Sequence, residues 1–260
     1  MITFSVVTIT YNAEKVLQPT LDSVLMQDYS HVEHIIIDGA SKDNTVQMAR
    51  DYQAFSDKAE NGHTVLIQSE PDKGLYDAMN KGLQKATGTY IVFLNAGDRF
   101  PDTETLDKVA TVALPGDGEE SPAVVYGNTD IIDKDGIFLY HRHLEPPEEL
   151  TWQSFEEGML VCHQAFYART DIAKKLPYNT RYRYSSDVDW CIRVMKEGER
   201  HGLSLRNVHA VVANYLEEGQ TTQHHRASLI ERYKVMCKHY GVIKTTFHHL
   251  GFLVRNVMKK

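Results

Sequence analysis

The residues of this 260-residue chain best placed to do chemistry are a set of carboxylates and one turn with little side chain. The segment Tyr90-Ile-Val-Phe-Leu-Asn-Ala-Gly-Asp98 opens as a buried strand and finishes on Asn95, the small pair Ala96 and Gly97, and then Asp98. Small residues let a bulky anionic group approach the backbone, and a carboxylate beside them suits Mg2+ or Mn2+ bound together with substrate phosphates. Asp38, Asp43, Asp72 and Asp77 fall on or near comparable strand ends. Carboxylates gathered in one place repel each other unless cations or hydrogen-bond donors come among them. The plainer reading makes Asp43 and Asp77 helix caps, a position Asp favours. Far downstream, "SSDVDW" puts Asp187 and Asp189 at the start of a helical pattern. A carboxylate there either complements the helix dipole or accepts a proton as a general base.

The elements that must position these groups alternate. Apolar, β-branched runs at 4–10, 34–40, 64–70 and 90–96 read as strands. Between them, Leu17, Leu21, Val24 and Leu25 share one helical face, a second helix runs to about Phe55, and a third follows "PDKG", with Ala78 and Gly82 allowing close packing. Strands of unbroken apolar character alternating with helices predict an α/β fold, with a mostly parallel sheet covered on both faces. Ligands bind such sheets beyond the carboxyl ends of the strands. There Thr10-Tyr11-Asn12, Asp38-Gly39, Asp72 and the Asn95–Asp98 turn would meet. After residue 100 the pattern gives a helix near 103–113 and two antiparallel strands around "DKDG". A helix then begins at "SSDVDW", with Ser186 able to cap it and Gly198 where it would stop, and a long helix runs from Thr221 to about Tyr240.

Several functions are disfavoured. No G-x-G-x-x-G follows the first strand, and there is no G-x-x-x-x-G-K-[ST] and no G-x-S-x-G. The adjacent pairs His224-His225 and His248-His249 point about 100° apart on a helix and do not form a metal pincer. Three widely spaced cysteines suit a reducing compartment, and no apolar run approaches a membrane span. The start "MITFSVVTITYN" reads as a first strand rather than a signal peptide, so a cytoplasmic location is expected. Net charge is −7, but residues 226–260 hold eight Lys/Arg against the single acid Glu231, which leaves −14 on the other 225 residues. An acidic body of that kind does not favour nucleic acid.

The blocks "FSVVTITYNAEKVLQPTLDSVLMQDY", "HIIIDGASKDNT", "EPDKGLYDAMNKGLQKATGTYIVFLNAGD" and "SSDVDWCIRVMKEG" together resemble the ordered signature of the family 2 glycosyltransferases, across roughly residues 3–240. The subgroup resembled is the small bacterial enzymes of exopolysaccharide, O-antigen or capsule assembly. The resemblance implies a GT-A fold: a Rossmann-like, mostly parallel nucleotide-binding sheet with a smaller antiparallel acceptor-side portion. It also implies a nucleotide-sugar donor, a UDP-sugar by expectation, with Mg2+ or Mn2+ and inversion at the anomeric carbon. Residues 1–240 would be one domain, with a donor half over 1–100 and an acceptor half over 101–240, followed by a basic tail over 241–260. Carried over by position, Thr10, Tyr11, Asn12 and Asp38 would hold the base, and Asp72, Lys73 and Gly74 the nucleotide and phosphates. "NAGD" stands where the family has Asp-x-Asp, with Asn95 and Gly97 in place of the two acids, so Asp98 is the carboxylate left to ligate metal. Asp187 falls at the general base. His163, Gln164 and Asp189 would face the acceptor, a saccharide or undecaprenyl-linked sugar. "GQTT" resembles a segment that helps close over the donor, or caps the last helix. No Gln-x-x-Arg-Trp element of the processive synthases is present.

Two alternatives stay open at this level. The degraded "NAGD" also suits a catalytically silent binding protein that keeps the fold. A sugar-nucleotidyltransferase would need a Gly-rich, Arg-containing loop after the first strand, which "TYNAEKVLQPT" lacks. In the tail, Ile243, Phe247, Leu250, Val254 and Val257 make a narrow apolar stripe with basic flanks. It would lie on an anionic membrane surface, making the protein peripheral, or pack on the body or a second subunit.

Overall fold

The computed structural model describes residues 1–217 and 225–249. "GQTT" and the tail positions from 250 onward lie outside the described residues. The described strands form one eight-stranded mixed sheet in the order β3-β2-β1-β4-β7-β5-β6, with β8 on the other side of β5. These are β1 (Phe4–Thr10), β2 (Val32–Asp38), β3 (Thr64–Ser69), β4 (Tyr90–Phe93), β5 (Val124–Ile132), β6 (Phe138–His141), β7 (Phe166–Arg169) and β8 (Leu205–Leu216). The first four are parallel, with β1 flanked by β2 and β4; β7 then runs antiparallel to both β4 and β5. A parallel half therefore continues into a mostly antiparallel one through the β4–β7 pairing, as the alternation and the hairpin signal led us to expect.

Burial explains the pattern. β1 is wholly buried and β2 almost so, because helices cover both faces, whereas β3 at the edge is half-exposed despite its apolar sequence. Helix α1 (Leu17–Leu25) buries Leu17, Leu21 and Val24, and α2 is Thr45–Ala59. On α3 (Leu75–Lys85), a Cβ at Gly82 would run into Val7 Cγ1; the glycine lets the helix lie directly on β1. Helix α4 spans Thr105–Ala113 and the short α5 Thr170–Ala173.

Three expectations change. Ser186, expected to cap the helix that starts there, is its first residue, and its buried hydroxyl has no hydrogen-bond partner among the described residues. Helix α6 runs Ser186–Arg200, straight through Gly198, whose lack of a side chain is used for packing: a Cβ there would sit 2.5 Å from that of Ala123. The helix stops instead at Gly202, φ +68°. Residues 205–216, which no periodicity marks as a strand, form β8, the longest of the sheet; its half-exposed pattern hides the alternation that would reveal it. The last long helix, α7, is His225–Tyr240, and residues 242–249 are helical again. No helix among the described residues is long and apolar enough to cross a membrane.

Candidate active site

The carboxyl ends of β1 to β4 do converge. Gly39 N–H donates to Thr10 O at 2.9 Å, Asn12 N–H to Ser41 Oγ at 2.8 Å, and Lys42 N–H to Asn12 Oδ1 at 2.9 Å. A Cβ at Gly39 would lie 2.5 Å from Asp72 Oδ2 and 3.2 Å from Tyr11 Cδ2, so three of the expected nucleotide loops touch. Tyr11, 65% exposed, presents its ring outward, and Lys73 and Gly74 are also exposed. Asp38 is different. Its carboxylate is buried and accepts hydrogen bonds from Thr10 Oγ1, Ser41 N–H, Ser41 Oγ and Ser69 Oγ. It ties β1, β2 and β3 together, so its oxygens are spent inside the protein. The repulsion anticipated among these acids is met by hydroxyl and amide donors. Asp43 and Asp77 are turn formers: Asp43 accepts from Thr45 and Glu14 N–H, and Asp77 from Lys73 N–H.

Two adjacent residues reach the two carboxylates that the sequence separates by nearly ninety positions. Both belong to a single 3-10 turn, His163–Ala165, leading into β7. Gln164 Nε2–H donates to Asp98 Oδ2 at 2.8 Å, while His163 Nδ1 lies 3.4 Å from Asp187 Oδ2. The other His163 nitrogen, Nε2, meets Asn95 Nδ2 at 3.2 Å.

Asp98 is turned inward. It is 4% exposed, and its second oxygen accepts from Leu216 N–H at 3.1 Å, which joins the turn to β8. Burial pushes its carboxyl up to about 6, against the opposing pull of the Gln164 and Leu216 donors. With each oxygen already holding an N–H and little surface open, this donor set does not fit a cation held through Asp98. Among the described residues there is no group of three His, Cys, Asp or Glu side chains placed to hold a metal. Gly97 has φ +101°, where side chains are strained, and a Cβ there would lie 2.6 Å from Leu216 Cδ2. Gly97→Asp, which puts an acid where Asp-x-Asp has its second, is expected to lower stability by about 1–3 kcal/mol. Calorimetry checks this; an unchanged melting temperature would mean the turn relaxes freely.

Asp187 sits in the first turn of α6 with its side chain 16% exposed. Tyr76 OH, from α3, donates to its Oδ1 at 3.0 Å. Tyr76 is held in turn by an aromatic stack: its ring lies on Tyr178, Tyr178 on Trp190, and Phe93 meets both Tyr178 and Trp190 edge-on. Asn80, one turn along α3, brackets the Tyr178 backbone with two hydrogen bonds of 2.9 and 2.7 Å. Burial works against ionisation of Asp187, but His163, Tyr76 and the Arg232 guanidinium outweigh it and hold the carboxyl below its ordinary range. The group is a fixed anion with one accessible edge.

Helix α7 secures the start of α6. Glu231 accepts from the N–H groups of Arg183, Tyr184 and Ser185. Asp189, fully buried, accepts from Arg193 Nε, Lys238 Nζ and His239 Nε2 at 2.7, 2.9 and 2.9 Å. Asp189 and Gln164, expected at the acceptor, are therefore corrected to internal roles: both are buried with their polar atoms bonded within the protein. Tyr76, Asn80, Tyr178 and Glu231 escaped the sequence reading. Only the i, i+4 spacing of Tyr76 and Asn80 on a helix beside the phosphate loop hinted at two of them.

Comparison with known proteins identifies the family and the fold. The Glycosyl transferase family 2 model matches residues 5–176. A PGL/p-HBAD biosynthesis glycosyltransferase of Mycobacterium bovis is 34% identical over 218 residues, spanning 83% of this chain and 77% of that protein. The amylovoran biosynthesis glycosyltransferase AmsB of Erwinia amylovora is 30% identical over 220 residues, 81% of this chain and 70% of AmsB. Among solved structures, S. aureus TarS 1-349 in complex with UDP-GlcNAc superimposes with TM-score 0.69 at 19% identity, covering 90% of this chain and 64% of that one. The mannosyltransferase PcManGT of Pyrobaculum calidifontis, in complex with GDP-Man and Mn2+, gives 0.62 at 15% identity, over 97% and 75%. These structures share the GT-A fold. Its mixed α/β sheet, with converging loops and an oriented carboxylate beyond the strand ends, and the matched sequence together place the chain in glycosyl transferase family 2.

Proposed function

We propose that this protein transfers a sugar, with inversion, from a nucleotide-sugar to a hydroxyl of a saccharide or lipid-linked acceptor in the building of a cell-surface glycan. The observation that carries the reading is Asp187: an ionised, partly exposed carboxylate pinned from two sides at the carboxyl edge of the sheet. In the reaction it takes the proton from an acceptor hydroxyl as that oxygen bonds the anomeric carbon. The bond from that carbon to the diphosphate oxygen breaks, and its electron pair leaves with the diphosphate. Tyr11, Asn12, Asp72, Lys73 and Gly74 are the exposed or half-exposed groups for the nucleotide, while Thr10 and Asp38 shape their loops. Asn95 Oδ1 is buried and has no hydrogen-bond partner among the described residues.

A UDP-sugar is favoured because TarS was solved with UDP-GlcNAc and with UDP. Screening UDP-, GDP- and dTDP-sugars for release of the nucleoside diphosphate tests the donor. Release from a UDP-sugar is expected; binding of nucleotide with no release from any donor would favour a silent binding protein.

The tail gives a second expectation. Val242, Ile243 and Phe247 are 62, 77 and 71% exposed, although Lys244 is engaged with Glu156. With the positive balance of residues 226–260 this favours a surface of anionic lipid. The full chain should sediment with anionic vesicles, and a variant lacking 242–260 should stay in solution. Equal pelleting of the two would remove the idea.

A further inference from the structure

Among the described residues, Asp187 accepts a hydrogen bond from Tyr76 and has an ion-pair contact with His163 at 3.4 Å, and the second of these is itself constrained. A neutral imidazole has one donor nitrogen and one acceptor. His163 Nδ1 faces a carboxylate, which only accepts, so Nδ1 carries the proton. Nε2 is then an acceptor and needs a donor opposite it; Asn95 Nδ2, at 3.2 Å, supplies one. The same orientation of the amide leaves Asn95 Oδ1 without a partner among the described residues. An Asp at position 95, the residue that Asp-x-Asp would have there, offers no donor, so that Nε2 would have to carry a proton to meet it.

From this we infer that His163 is a positioning residue for Asp187: Asn95 fixes its ring as the Nδ1–H tautomer, and that N–H aims and holds the carboxylate that receives the acceptor proton. The inference rests on Asp187 being the base. It gives "NAGD" a purpose, since Asn95 sets a tautomer that an acid could not set. His163 then contributes orientation, and the proton ends on Asp187.

The test begins without substrate. Two-bond proton–nitrogen correlation spectra of the whole protein should show His163 with its proton on Nδ1, and in Asn95→Asp with a proton on Nε2. An Nε2–H ring or a doubly protonated ring in the wild type overturns the assignment, as does a ring unchanged in Asn95→Asp. Two substitutions at 163 then separate orientation from packing. An Asn amide overlays Nδ1 and keeps a donor to Asp187, whereas a Gln amide overlays Nε2 and does not. Loss of the donor while burial persists must raise the Asp187 pKa, because the charged form loses support. The groups facing that carboxylate are Tyr76, His163, Arg232, Tyr178, Cys191 and Cys162, and the two variants differ only at His163. His163→Gln should move the 13C carboxyl titration of Asp187, and the acid limb of kcat/KM on the best donor of the panel, to higher pH. It should cost about 100-fold in kcat with little change in donor KM. His163→Asn should keep the limb in place and restore most of the rate. Equal losses with an unmoved Asp187 titration would reduce His163 to packing, and a loss confined to acceptor KM would make it an acceptor contact. If no donor on the panel is turned over, the proposed function falls while the tautomer and the carboxyl titration still decide this inference.

Discussion

Asp187→Asn is expected to lower turnover by about 10²–10⁴-fold, the usual weight of a positioned general base. The melting temperature and nucleotide binding should stay near those of the wild type. Asn has the same shape; its oxygen can accept from His163 Nδ1–H while its amide donates to the Tyr76 hydroxyl oxygen, so the aromatic stack behind it has no reason to move. What disappears is the capacity to take a proton. Because that capacity is used only as the new bond forms, kcat and kcat/KM should fall together while donor KM changes little. If Asp187 merely complements the α6 dipole, its exchange for Asn would cost a few tenths of a kcal/mol in stability and leave the rate alone. Steady-state diphosphate release, with calorimetry on the same preparations, distinguishes the two cases; a rate within about tenfold of wild type would show that some other group receives the proton.

The second large effect is on stability. Asp189→Ala should destabilise the fold by about 3–5 kcal/mol, the range for removing one partner of a buried ion pair. The three groups it deserts are not equal. Lys238 is half-exposed and resolvates at little cost, Arg193 is 21% exposed, and His239 is almost buried, so His239 and Arg193 carry most of the penalty. Burial opposes ionisation of Asp189, yet His239, Lys238 and Arg193 together hold its carboxyl well below the ordinary range. Removing Lys238 alone should therefore cost much less, near the value for exposed pairs, under about 1 kcal/mol. Denaturant melts of Asp189→Ala and Lys238→Ala measure the contrast. Equal, small losses would show that α7 is only loosely bound to α6 and that Asp189 matters little.

The parallel half was legible because its signals are local. Four apolar strands, the helical face of Leu17, Leu21 and Val24, and turn-forming residues at each strand end each follow from a few neighbouring side chains. Convergence of Thr10–Asn12, Asp38 and Asp72 followed from the rule for parallel sheets. The facing of individual carboxylates was not legible. Nothing in "NAGD" tells whether Asp98 points to solvent or to Gln164, because that depends on β8, whose half-exposed sequence gives no alternation. Gly198 misled for a related reason: a glycine that ends a helix and one that admits a neighbouring Cβ look alike until Ala123 is beside it. Asp187 could be singled out at its helix start, but its partners Tyr76 and His163 come from elements that only the sheet order brings near.

That dispersal along the polypeptide has a consequence for how the protein is made. The bonds defining the site join residues 111 apart for Tyr76 and Asp187, and 68 apart for Asn95 and His163. The clamp on α6 waits for Glu231, 46 residues beyond Ser185. During synthesis the loops at the carboxyl ends of the first four strands can therefore assemble well before the ribosome has delivered the residues that orient Asp187. Under the proposed function, the nascent chain passes through a stage at which it has a surface for the donor but no means of transferring the sugar, and competence arrives with the last long helix.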